Sequence, residues 1–130
     1  MFIDATVIKG SDRTFTVSIT QDQGGGKEIP VDLSTFKILF KVLGSPTADA
    51  KVLVLHEITS NSDVRKDGLI TDSANGQFSF TITKEDTNLL GLGDHPIMME
   101  LIDLIDGSIA AILGEGGTRG EFNKINIVQV

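Results

Sequence analysis

The stretch TDSANGQFSFTITKEDTNLL, Thr71 to Leu90, decides the fold. Its centre, Gln77 to Thr83, alternates polar and apolar residues without a slip, which is the period of a half-buried β-strand. That alternation commits Phe78, Phe80 and Ile82 to a core. Asn75-Gly76, just before it, is a pair that tolerates positive φ and reverses the chain. Thr83, just after it, is an N-cap with Asp86 three residues on, a variant of the capping box, so the strand runs into a helical turn over 84–90. Leu89 and Leu90 follow as expected inward anchors.

Working outward, the same two-residue period recurs. Residues 2–9 read as a first strand, with either Ile3, Ala5 and Val7 or Phe2, Thr6 and Ile8 facing in. Thr14 to Thr20 alternates cleanly, with Phe15, Val17 and Ile19 on one face. Gln21 to Lys27 is a glycine-rich loop tip; no Gly-Lys-Ser/Thr opens a helix there, so it is not a phosphate cradle. Ile29 to Leu33 is a short extended return. Phe36 to Leu43 places Phe36, Ile38, Phe40 and Val42 on one face and Lys37, Leu39, Lys41 and Leu43 on the other, and Gly44 to Thr47 ends it. Lys51 to His56, Pro96 to Ile105 and Ser108 to Leu113 are apolar on both faces, the last two joined by a turn at Asp106-Gly107. Asn61 to Gly68 is polar and turn-like, and 114–120 reads as a loop. Glu121 to Val130 closes the chain as a strand, with Phe122, Ile125 and Ile127 available to the core. No window sustains a helical period. Many short strands spaced by turns make a β-sandwich the expected architecture, as a single domain over 1–130.

Composition narrows the function classes. The 130 residues carry a net charge of −7, which argues against a nucleic-acid surface or an anionic membrane as partner. There is no Cys, so disulfide and thiolate chemistry are excluded. Seven Phe stand beside no Trp and no Tyr, and Phe lacks the polar handle that sugar- and base-binding surfaces use. No start resembles a signal peptide and no run is long enough to span a membrane.

Chemistry-bearing patterns are thin. His56 and His95 lie far apart in sequence, no Ser sits in a Gly-x-Ser-x-Gly elbow, and surface or rim positions are expected for both histidines. Two histidines without a His-x-His pair do not make a zinc site. Asp103 and Asp106 flank a turn, and Asp22, Asp32, Asp72 and Asp94 mark other loops; turn chemistry accounts for them without calcium. Glu85 and Asp86 suit a helix N-terminus. No catalytic residue, metal ligand or cofactor is expected.

The informative anomaly is surplus apolar surface. A two-layer sandwich needs one apolar face per strand, yet 51–56, 97–105 and 109–113 carry two. Something covers the second faces, and a subunit interface is the sharper expectation. Leu39 and Leu43, with Met98 and Ile102 beside Glu100, are the candidate interface residues. The partners are further copies of the chain, another protein, or both.

Several segments together resemble the immunoglobulin-like N-terminal domain of phage baseplate upper proteins and related phage tail structural proteins. They are Arg13 to Ile19, Ile29 to Ser34, Phe36 to Val42, Ala74 to Phe80 with Lys84 to Thr87, and Glu100 to Asp103 with Asp106-Gly107. In place of the aromatic residue that the family commonly carries after the helical turn, this chain has Gly93-Asp94-His95-Pro96. The resemblance implies an immunoglobulin-like β-sandwich of about 7–9 antiparallel strands. It further implies a non-enzymatic virion component (baseplate, tail, neck or decoration protein) assembled in the host cytoplasm. A carbohydrate-binding or host-adhesion sandwich is the alternative.

Overall fold

The computed structural model describes residues 4–22, 24–44, 51–61, 68–113 and 124–129. These form β1 (Asp4–Ile8), β2 (Arg13–Ser18), β3 (Thr20–Asp22), β4 (Glu28–Pro30), β5 (Phe36–Leu43) and β6 (Val52–Ile58). Then follow β7 (Leu69–Asp72), β8 (Gln77–Ile82), α1 (Lys84–Leu89), β9 (Gly93–Asp103), β10 (Ile109–Leu113) and β11 (Lys124–Val128). Phe2, Ile3, Phe122, the turn through 45–47, the polar run 62–67 and the loop 114–120 lie outside the described residues.

The strands make an all-β sandwich. One sheet is ordered β1-β11-β9-β5-β6, with β10 also paired to β9; the other is β2-β8-β7, and β3-β4 forms a small separate hairpin. Among the described residues the strand ladders are antiparallel except for β1, which runs parallel to β11 from Asp4↔Lys124 to Ile8↔Val128, and one isolated parallel bridge joins Thr59 to Leu69. The alternation in β5 and β8 is the cause of the two layers. Ile38, Phe40 and Val42 from β5 and Phe78, Phe80 and Ile82 from β8 are fully buried. They meet in one cluster with Ile97, Met99, Ile125 and Ile127. Phe40 and Phe80 touch across the layers with ring centroids 4.4 Å apart, and Phe15 stacks on Phe80 at 5.3 Å. Each such side chain contributes roughly 2–3 kcal/mol by leaving water. In β1 the inward face is Ala5 and Val7, and Ile8 is exposed.

Thr83 caps α1 as its side-chain pattern dictates. Its hydroxyl accepts from Asp86 N at 3.2 Å, and Asp86 Oδ2 accepts from Thr83 N at 3.0 Å, a complete capping box. Only Leu90 is an inward anchor; Leu89, still on the helix, is turned out and exposed.

Local details differ from the sequence expectation where a distant backbone intervenes. The β7–β8 reversal takes four residues, Ser73 to Gly76, and only Gly76 has positive φ (+67°). The reason is that this turn is also an anchor: Ile19 N donates to Gly76 O at 2.9 Å and Leu33 N to Ser73 O at 2.8 Å. Drawing Ile19 into that contact ends β2 at Ser18 and separates it from β3. The β9–β10 turn is likewise longer than Asp106-Gly107, closing between Asp103 N and Ser108 O at 2.9 Å with Gly107 at φ +75°. Strand β9 begins at Gly93, before Pro96, because Gly93 to Pro96 pair with Ile127 to Lys124 of β11.

Candidate interaction face

Strands β10, β9, β5 and β6 lie side by side, and cross-strand partners in a sheet share a face. The register pairs Leu39 with Glu100 and Glu57, Lys41 with Met98 and Leu55, and Lys37 with Ile102. On β10, Ile112 pairs with Glu100 and Ile109 with Ile102. Since Ile38, Phe40 and Val42 point to the core, all of these residues belong to the opposite, outer face. Leu39, Leu43, Met98 and Ile102 are thus brought together on one surface.

Their exposure is not uniform. Leu39, Leu43 and Met98 are half-buried, whereas Ile102 is only 7% exposed. The most accessible apolar side chains of this face are ones the sequence reading did not single out: Leu55 at 58%, Ile109 at 54% and Ile112 at 46%. The signal that marks them is the double-faced apolar pattern of 51–56 and 109–113, but periodicity cannot tell which of two apolar faces looks outward.

Two ion pairs stand among the apolar residues. Lys41 Nζ bonds Glu100 Oε1, and Lys37 Nζ lies 3.5 Å from Glu57 Oε1. Glu100 is buried, and Lys41 is the cation placed against it. The face is therefore apolar in area yet fixed in pattern, with two lysines on β5 flanked by glutamates on β6 and β9.

The histidines are buried, not at the surface or rim. His56 Nε2 lies 2.8 Å from Asp86 Oδ2, joining β6 to α1, and the His56 ring stacks on Phe40. Burial opposes ionisation of Asp86, but the hydrogen bonds from His56 and Thr83 and the charge of His56 outweigh it, so its carboxyl is held below the usual range. His95 spans two backbone carbonyls, Leu43 O at 2.9 Å from Nδ1 and Gly91 O at 2.6 Å from Nε2. It clips the end of β5 to the turn after α1. Sequence holds no sign of this, since both partners are main-chain atoms.

A cleft of about 400 Å³ opens between the β3–β4 hairpin and the β9–β10 hairpin, lined by Ile19, Val31, Phe36, Leu101 and Ala111 with Thr20 and Gln21 at its polar side. Among the described residues no group of three or more His, Asp or Glu is gathered as a metal site, and no helix is long and apolar enough to cross a membrane. No family model and no curated protein matches the chain.

Proposed function

We propose that the chain is a non-enzymatic structural component of a phage virion that works by protein–protein assembly, with itself, with other virion proteins, or with both. The observation that carries the reading is the outer face of β10-β9-β5-β6. It sets exposed Leu55, Ile109 and Ile112 and half-buried Leu39, Leu43 and Met98 around the pair of half-buried Lys41 with buried Glu100. Surfaces of this kind serve association. The resemblance of separate segments between Arg13 and Gly107 to baseplate and tail proteins supplies the virion, and the strand order supports its immunoglobulin-like character: β1-β11-β9-β5-β6 packed on β2-β8-β7.

The test is a Met98→Glu/Ile112→Glu variant, chosen because both side chains have access to solvent while Ile102 does not. Wild-type protein co-sediments with purified particles, and the variant keeps its circular dichroism spectrum but is lost from them. A variant incorporated as well as wild type overturns the face; a saturable signal on a glycan array would establish sugar binding in place of assembly.

A further inference from the structure

We propose that His95 is a pH-sensitive clip: as the doubly protonated imidazolium it ties the turn after α1 to the end of β5, and on losing a proton it lets one of them go. His95 is 3% exposed, on the inward side of β9 in line with Ile97 and opposite Ile125 of β11. Its Nδ1 lies 2.9 Å from Leu43 O, and its Nε2 lies 2.6 Å from Gly91 O.

A carbonyl oxygen can only accept, so each ring nitrogen has to donate. Neutral imidazole has a single N–H, and either tautomer turns a lone pair toward one of the two oxygens. A half-turn of the ring offers C–H groups to both, which is worse. The imidazolium alone donates from both nitrogens. Burial sharpens the demand, because the ring has little access to solvent when one bond is lost.

The charged groups on the elements around His95 are engaged elsewhere or turned away. Exposed Asp94, its neighbour on β9, faces the opposite side and pairs with Lys124 of β11 at 3.4 Å. On α1, Asp86 is bonded to Thr83 and to His56 of β6, while Lys84 and Glu85 are exposed. Lys37 and Lys41 of β5 pair with Glu57 and Glu100 on the outer face, and Lys51, before β6, is exposed. Among the described residues, two carbonyl dipoles hold the cation and no carboxylate stands against it. The proton goes to solvent as pH rises, so the clip is closed on the acid side of the His95 titration and open on the alkaline side. Gly91 follows Leu90, the C-cap of α1, and Leu92 on the same turn is 56% exposed. Opening the clip therefore loosens this turn against β5 without unfolding the core.

Long-range proton–nitrogen NMR of the isotope-labelled chain, with His95 assigned apart from His56, tests this from about pH 5 to about pH 8. At the acid end both His95 nitrogens carry protons, and both N–H signals exchange slowly with water because each is bonded and buried. At the alkaline end one N–H remains. Amide hydrogen exchange at Leu92 and Gly93, corrected for its intrinsic pH dependence, is then about tenfold faster, the effect of one lost hydrogen bond, while the amides of β8 keep their rates. A ring with a single N–H down to about pH 5 overturns the proposal. So does a doubly protonated ring whose loss of a proton leaves exchange at Leu92 and Gly93 unchanged, or speeds it no more than in β8.

Discussion

Gly76 offers a sharp test of how the sandwich is closed. Its φ of +67° is left-handed, and a Cβ placed there would lie 2.6 Å from Ile19 O and 2.7 Å from Val31 O. Gly25 has nearly the same φ, +65°, with nothing within 4 Å of the same position. Comparing alanine at the two sites separates backbone strain from steric overlap. Gly25→Ala carries the left-handed cost alone, about 1 kcal/mol. Gly76→Ala adds the displacement of two backbone carbonyls, about 2 kcal/mol more by analogy with overpacked cores. The carbonyls cannot step aside freely, because Ile19 O accepts from Val31 N at 3.0 Å and so closes the base of the β3–β4 hairpin. The expected total of about 3 kcal/mol is a large part of the 7–20 kcal/mol or so that a chain this long commands. It lowers the melting temperature by about 10 °C. Thermal melts by far-ultraviolet circular dichroism, with urea unfolding as a check that the slope is unchanged, read both variants. If Gly76→Ala melts within about 3 °C of Gly25→Ala, the turn is not the anchor described.

Three further perturbations address the helix and the outer face. Thr83→Ala removes the N-cap hydroxyl and lowers stability by about 1 kcal/mol, read by chemical denaturation, with no change in oligomeric mass. Asp86→Asn removes the charged partner of His56 and costs about 1–2 kcal/mol at neutral pH. Because the folded carboxyl titrates below its ordinary 3.8, the ionised group stabilises the fold above that pH, and the advantage disappears as pH falls through the folded value. Denaturation midpoints of wild type and Asp86→Asn therefore converge below about pH 3.8, and a gap that stays constant in acid would contradict the pairing. Lys41→Met leaves the buried Glu100 carboxylate without its cation and destabilises by about 3 kcal/mol, whereas Lys41→Met/Glu100→Leu returns near to wild type. Equal losses in the single and double variants would show that the pair is not coupled.

What sequence revealed of this molecule was the portion written in local periodicity and local caps. Phe36 to Leu43 and Gln77 to Ile82 alternate because each has one face on the core, and Thr83 and Asp86 are close enough in sequence to be read as a cap. Features held by distant backbone were not legible. Nothing in Asp4 to Ile8 or Lys124 to Val128 says that they pair in parallel, and no rule adds Gly93 to Pro96 to β9 before β11 is known to lie beside it. The turn at Asn75-Gly76 carries a two-residue signature, yet its length is set by Ile19 and Leu33 bonding to it. The candidate face was half legible. Alternation put Leu39 and Leu43 opposite Phe40, and the doubly apolar runs pointed to Met98 and Ile102. The depth of Ile102 and the exposure of Leu55, Ile109 and Ile112 depend on which neighbours cover each row. The histidines were hidden for a simpler reason: a buried His is identified by its partners, and these were Asp86 thirty residues away and two carbonyls.

The parallel run of β1 beside β11 has a mechanical consequence. Five residue pairs, Asp4↔Lys124 to Ile8↔Val128, lie between the start of one strand and the end of the other. A pull applied at Asp4 against Val128 is directed along both strands in opposite senses, so it loads the intervening hydrogen bonds in shear, all together. Pulled on the same strand pair from a single end, the bonds would open in succession, like a zipper. Tension carried through the chain thus meets this module in its strong direction, and the rupture that releases the core has to break the whole patch in a single event.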